Sequence, residues 1–183
     1  MKEDSAHTPL AWIQNATRGD REAAERIIES ILPRVRNLVR YLVRSDGEVD
    51  DIAQQCLVSI LKGLPQYRGE GDFHAWIDRI TARRTFQEIR KARATRLVQS
   101  ELPVELIATE TTDEYLHRRQ VVRLLDQLPD AQRQAIVLHH VIGMTVPEVA
   151  EFLEVSFDTA KSRLRLGLKK LRQTGKGQSV DHA

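Results

Sequence analysis

From Asp20 to Leu61 apolar residues recur every third or fourth position, and no stretch of comparable length alternates apolar with polar. That spacing lays a single apolar stripe along a helix, whereas a half-buried strand needs a period of two. The chain is therefore expected to be all-α. Asp20 is placed to cap the first long pattern, in which Ala24, Ile27, Ile28, Ile31, Val35, Leu38, Val39 and Leu42 share a face. Pro33 lies inside it, a residue type that bends helices by removing a backbone donor. Ser45, Asp46 and Gly47 form a turn. The next helix, from about Glu48 to Leu61, turns Ile52, Ala53, Cys56, Leu57, Ile60 and Leu61 inward, and Gly63 and Pro65 end it. A short helix near Leu10 to Ala16 precedes both patterns, and Asp72 is placed to cap another that runs to about Arg96.

Beyond Arg96 the pattern lapses. Residues 97–113 contain Pro103, several β-branched residues and no clear apolar face, as a linker would. Helical spacing returns from about Glu114 to Leu128 and from Asp130 to Ile142, where Gly143 stops it. Two small helical domains follow, over residues 8–96 and 114–173, joined by a flexible linker and trailed by a disordered tail at 174–183. A chain of 183 residues suits that division, and each domain is small enough to bury only a modest core.

The segment MTVPEVAEFLEVSFDTAKSRLRLGLKKL, residues 144–171, holds two helical patterns back to back. Thr145 and Glu148 have the spacing of a capping box, and Pro147 falls in the first turn, where its missing N–H costs nothing. Val146, Val149, Ala150 and Leu153 make one stripe. The pattern breaks at Glu154-Val155-Ser156, Ser156 offers a second cap, and a longer helix begins at Phe157 with Ala160, Leu164, Leu168 and Leu171 on one face. Its other face carries Lys161, Arg163, Arg165, Lys169 and Lys170, with no acid after Asp158. A short helix, a tight turn and a longer basic helix match a helix-turn-helix, whose second helix enters the DNA major groove. A plain helical hairpin with a solvated basic face fits the same residues.

The net charge is only +2, but it is unevenly spread. Residues 79–96 hold seven Lys or Arg against one acid, Glu88, and residues 161–176 hold seven against none. Residues 96–116 reverse this, with Glu101, Glu105, Glu110, Asp113 and Glu114 against a single cation, Arg96. Two basic segments flanking an acidic one suggest two contact surfaces for a polyanion. Four of the nine aromatic residues, Tyr67, Phe73, Trp76 and Phe86, lie beside the first basic cluster of Arg79, Arg83, Arg84, Arg90, Lys91 and Arg93. Phe73 and Trp76 read as core residues in preference to stacking platforms; Phe86 reads as the better base-stacking ring.

No metal site, cofactor site or enzyme motif is expected. The one cysteine, Cys56, sits on an apolar stripe and reads as a small buried hydrophobe. His139 and His140 are adjacent on one helix, expected to point apart, and no carboxylate stands at ligand spacing from them. The N-terminal MKEDSAHTPL has no apolar signal core and no apolar run approaches membrane-spanning length, so a cytoplasmic protein is expected.

Four segments resemble the extracytoplasmic-function group of bacterial RNA polymerase sigma factors. They are EVDDIAQQCLVSILKGLPQYRGEGDFHAWIDRI, ARRTFQEIRKAR, LLDQLPDAQRQAIVLHHVIGMTVPEVAEFLEVS and DTAKSRLRLGLKKLR, in the family's order and spacing. With the N-terminal helix, the likeness spans about residues 8–172. It implies a sigma-2-like domain, a linker and a sigma-4-like domain, with no cofactor. It implies core RNA polymerase as partner, through the clamp helices and flap of its large subunits, together with promoter DNA and an anti-sigma factor. By motif position, Asp50, Asp51, Gln54 and Gln55 would dock on the clamp helices; acids there either pair with a basic partner or serve the helix dipole. Arg79, Arg83, Arg84, Phe86, Gln87, Arg90 and Lys91 would meet the opened minus-10 strand, and Ser156, Thr159, Lys161, Ser162, Arg163, Arg165 and Lys169 the minus-35 duplex. The acidic linker would occupy a basic nucleic-acid channel, or be merely solvated.

Departures from the family pattern are local. Arg83 and Gln87 stand where Asn and Asp are common, Gln55 where an acid is usual, and Glu154 where the turn customarily has glycine. A conventional helix-turn-helix regulator is the alternative; it explains residues 114–172 and leaves 20–96 without a role.

Overall fold

The computed structural model describes residues 10–44, 46–96 and 113–177, which fall into two compact units divided between Leu106 and Ile107. All regular structure among the described residues is helical. The acidic stretch 97–112, expected to be a linker, and the tail beyond Gly177 lie outside the described residues.

The first unit packs α1 (Leu10–Thr17), α2 (Arg21–Leu42), α3 (Val49–Gly63) and α4 (Phe73–Arg96). Asp20 caps α2, its carboxylate accepting from the N–H groups of Glu22 (3.0 Å) and Ala23 (3.2 Å). The helix runs through Pro33 without a break. Ile27, Ile31, Val35 and Val39 of α2 are fully enclosed with Ala53, Cys56 and Ile60 of α3 and Ile77 of α4. Each large apolar side chain so enclosed contributes roughly 1.5–3 kcal/mol. The expected stripe was one position too wide: Ala23 takes the innermost place, while Ala24, Ile28, Leu57 and Leu61 sit half-buried at its margins.

The inner face of α4 mixes polar side chains with Ile77, Ala82 and Phe86, which hides it from a hydropathy pattern. Thr81 and Thr85 are fully buried, and the Thr85 hydroxyl donates to the Thr81 carbonyl at 2.8 Å. The Cys56 thiol approaches the same carbonyl at 3.7 Å. Burial pushes that thiol up to about 11, so it stays neutral, as a small hydrophobe should. Asp78 is only 4% exposed and receives Arg34 of α2 through two bonds of 2.8 and 2.7 Å. That forked pair pushes the Arg34 pKa up further and ties α4 to α2.

The second unit packs α5 (Asp113–Asp126), α6 (Asp130–Ile136), α7 (Val146–Phe152) and α8 (Phe157–Gly177). The helix expected over Asp130–Ile142 is not uniform: after Ile136 it widens into a π-turn over Val137–Val141, closed by Ile142 N–H on the Val137 carbonyl at 3.1 Å. Such a turn inserts one residue and re-aims the side chains beyond it. It also corrects the expectation for the histidines, whose rings meet edge-on at 4.6 Å between centroids instead of pointing apart. Helix α8 continues past the expected boundary at 173 to Gly177; the Thr174 hydroxyl bonds back to the Lys170 carbonyl at 3.1 Å, and no proline stops the helix.

Gly167 sets how closely α6 and α8 approach, and Arg133 ties α6 to α5. A Cβ on Gly167 would stand 2.9 Å from Ile136 Cγ1, closer than packed carbons come, so α8 rests on α6 backbone to side chain. Arg133 of α6 is fully buried, and its Nη1 reaches Asp126 Oδ1 at 2.6 Å.

Candidate nucleic-acid interface

Local rules place α7 and α8. Thr145 and Glu148 form the expected box: Thr145 N–H donates to Glu148 Oε2 at 2.8 Å and Glu148 N–H to Thr145 Oγ1 at 3.4 Å. At the other end of α7, Glu154 N–H bonds the Glu151 carbonyl (3.1 Å) and Val155 N–H the Ala150 carbonyl (3.0 Å). This paired closure requires a left-handed residue between them, usually glycine. Glu154 supplies it at φ +54°, the one non-glycine residue with positive φ among those described. Ser156 then caps α8, its Oγ accepting from Thr159 N–H at 3.2 Å and meeting Thr159 Oγ1 at 2.8 Å.

Inward, α8 buries Ala160, Leu164 and Gly167. Outward it leaves Lys161, Arg165 and Lys169 exposed, with Ser162 and Arg163 half-exposed at the margins. Among the described residues no ion pair ties any of these cations to a carboxylate. Their charge is therefore available to a phosphate backbone.

The basic part of α4 is arranged differently. Arg79, Arg83, Gln87, Arg90 and Lys91 are exposed, and the first four follow the i, i+4, i+8, i+11 stripe opposite Thr81 and Thr85. Arg84, at the margin, is braced: its Nη2 lies 2.8 Å from Glu88 Oε1, its Nη1 bonds Gln87 Oε1 at 3.3 Å, and its Nη2 also bonds Gln55 Oε1 of α3. Lys91 meets the same Glu88 oxygen at 3.0 Å. The side chain of Arg93 lies outside those described.

Phe86 requires a correction. Expected to stack on bases, it is only 7% exposed, because it follows Asp78 and Ala82 on the stripe that α4 turns toward Arg34 of α2. Phe73 is buried too, as expected for core, and packs with Tyr67 and the half-buried Trp76 at centroid distances of 5.1–5.7 Å.

On α3, Asp50, Asp51, Gln54 and Gln55 are all exposed. Asp50 Oδ1 pairs with Arg36 of α2 at 2.8 Å, and Gln55 is engaged by Arg84. Sequence patterns gave no sign of the Arg34–Asp78, Arg133–Asp126 or Gln55–Arg84 contacts.

Two helical units, one closing on a helix-turn-helix with a free basic face, define a DNA-binding class of protein. The family models agree: Sigma-70 region 2 matches residues 27–95 and Sigma-70 region 4 matches residues 118–171. A similar curated relative is the ECF RNA polymerase sigma factor SigK of Mycobacterium ulcerans, 30% identical, covering 88% of this chain and 90% of that protein. The ECF RNA polymerase sigma-E factor of Escherichia coli K12 is 25% identical over 86% and 88%. Among solved structures, the sigma factor RpoE of Bartonella quintana, crystallised with the anti-sigma factor NepR, shares the fold at a TM-score of 0.56 and 19% identity, covering 86% of this chain and 98% of that one. The chain belongs to the ECF group of sigma-70 RNA polymerase sigma factors, and it directs promoter-specific transcription. No helix among the described residues is long and apolar enough to cross a membrane.

Proposed function

We propose a division of labour along the chain. The exposed cations of α8, Lys161, Arg165 and Lys169, and the half-exposed Arg163, with the hydroxyls of Ser156, Thr159 and Ser162, engage the minus-35 duplex. Arg79, Arg83, Gln87, Arg90 and Lys91, joined by Arg84 when it leaves its internal partners, engage the opened minus-10 strand. Asp50, Asp51 and Gln54 dock on the clamp helices of core polymerase. Gln55 instead steadies Arg84. An anti-sigma factor masks these surfaces when the protein is silent; the likeness to the Bartonella sigma factor, which was crystallised with such a partner, supports that reading. The observation that carries the assignment is the unpaired, exposed basic face of α8 on a capped helix-turn-helix.

The physical logic is sequential. Phosphate contacts fix register and orientation before any base is read. Opening the duplex then requires cations along one strand, which the Arg79–Arg90 stripe supplies, while the buried Phe86 leaves base stacking to other groups. The test is run-off transcription with bacterial core polymerase on a genomic DNA pool, with and without the protein. Discrete protein-dependent transcripts are expected. Transcription that starts equally well without the chain would remove the assignment. In the same assay, Asp51→Arg is expected to abolish the transcripts and co-purification with core enzyme, without changing helicity.

A further inference from the structure

Helix α8 exposes two large apolar side chains, Phe157 in its first turn and, farther along on the outward face, Leu166. Leu166 is 41% exposed, although the helix has a complete inner stripe in Ala160, Leu164 and Gly167. On a helical surface the neighbours of a residue stand three and four positions away. For Leu166 these are Ser162, Arg163, Lys169 and Lys170: one hydroxyl and three cations. Ser162, Arg165, Leu166 and Lys169 also share the i, i+3, i+4, i+7 stripe that faces away from α6. The leucine is thus an apolar island ringed by groups that hold phosphates.

That ring selects the occupant. When phosphates seat on Arg163, Lys169 and Lys170, the floor of the groove lies over Leu166. The major groove offers donors, acceptors and one apolar group, the 5-methyl of thymine. A leucine offers no hydrogen bond and gains only from excluding water against carbon. We propose that Leu166 reads a thymine 5-methyl in the minus-35 duplex, which makes it a specificity residue in a face whose other members bind phosphate or hydrogen-bonding edges. The inference rests on α8 being the minus-35 reader and adds to it the class of base contacted.

The experiment uses full-length protein bound to core polymerase and a pool of randomised duplexes. Wild-type holoenzyme is expected to enrich a motif with an invariant A·T pair, and Leu166→Ala holoenzyme the same motif relaxed at that pair. In the selected duplex, replacing that thymine by uracil removes only the methyl. Wild-type affinity should fall about fourfold, the value of one buried carbon group, whereas Leu166→Ala should be insensitive to the change. The slope of affinity against salt should be the same for both proteins, because a methyl contact releases no counterion. Identical motifs for the two proteins, or equal uracil sensitivity, would overturn the inference and leave α8 as a duplex reader. So would a Leu166→Ala protein whose only defect is weaker association with core enzyme, which would assign the leucine to a protein contact. If wild-type holoenzyme enriches no duplex motif, the reading of α8 fails and the inference falls with it.

Discussion

Helices α4 and α8 both carry dense positive charge, but they hold it in opposite states. On α8, Lys161, Arg165 and Lys169 are exposed and free of ion pairs among the described residues. On α4, Arg84 and Lys91 converge on Glu88, and Arg84 reaches across to Gln55. The difference has an energetic meaning. Duplex contact by α8 requires no protein bond to break, so it suits rapid, salt-sensitive recognition. A strand that recruits Arg84 must replace its internal hydrogen bonds, each worth about 1.5–3 kcal/mol when a charged group is involved. One surface is open for inspection of closed DNA; the other is partly withheld until a strand competes for it.

The largest effect expected from disturbing this contrast comes from beneath α8. Gly167 has no room for a side chain against Ile136, so Gly167→Leu must separate α6 from α8, at a cost of about 3 kcal/mol for overpacking of this kind. Both tryptophans, Trp12 and Trp76, lie in the first unit. Tryptophan fluorescence should therefore melt as in wild type while much of the helical circular dichroism is lost early. Simultaneous loss of both signals would show that the units do not fold separately.

A smaller effect separates the cations themselves. Arg84→Ala should lower the stability reported by tryptophan fluorescence in urea by about 1 kcal/mol, since the half-buried Glu88 keeps only Lys91 as its cation while water replaces Arg84 at the exposed Gln55 and Gln87. Arg165→Ala should leave stability within about 0.5 kcal/mol. It should weaken holoenzyme binding to promoter duplex and reduce the salt slope by about one, as loss of a single phosphate contact does. Equal losses of stability in the two variants would erase the distinction between braced and free charge.

Smaller again is the turn that aims α8. Glu154 stands in the left-handed region at φ +54°, a conformation that costs an L-residue about 1–2 kcal/mol. Glycine removes that cost and loses roughly half of the gain to its freedom in the unfolded chain. Glu154→Gly should stabilise the second unit by about 0.5–1 kcal/mol by denaturant titration of helicity, with minus-35 affinity unchanged. Destabilisation would mean that the interactions of Glu154 are worth more than the strain.

How much of this was legible beforehand depends on how far each residue's influence reaches. Helix positions came from spacing and caps, because Asp20, Thr145 and Ser156 act on their own backbone neighbours. The basic face of α8 was legible for the same reason: its inner stripe is apolar throughout. On α4 the inner stripe contains Thr81, Thr85 and Asp78, so polarity did not mark the outside, and Phe86 was assigned to the wrong face. The Arg34–Asp78 and Gln55–Arg84 contacts join residues 44 and 29 positions apart; no local rule reaches that far. The π-turn after Ile136 has no proline or glycine to announce it until Gly143.

Acid should finally distinguish the two units by the order in which they weaken. Partial desolvation, aided by the neighbouring His139, pushes the pKa of His140, whose ring still faces solvent, below its ordinary value. The folded second unit therefore favours neutral imidazole, so the unfolded chain takes up a proton first. That contribution to stability is complete above pH about 6.5, the unfolded value, and is lost as pH falls from there toward the lowered folded value. In the first unit, Asp72 is pushed down chiefly by the His74 N–H at the start of α4. Its contribution holds above the unfolded carboxylate value near 3.9 and disappears only below it. Between pH of about 7.5 and about 5, helicity of the second unit should become easier to denature while this source of first-unit stability stays constant. A proton NMR titration of the His140 ring checks the cause directly. Its midpoint should lie below about 6.5 and rise part of the way back in His139→Gln, because partial desolvation is the larger influence and survives the substitution. A midpoint at or above about 6.5 in the wild-type protein would mean that the partial desolvation of this exposed ring is too slight to shift it, and acid would then give no order to the two units through this residue.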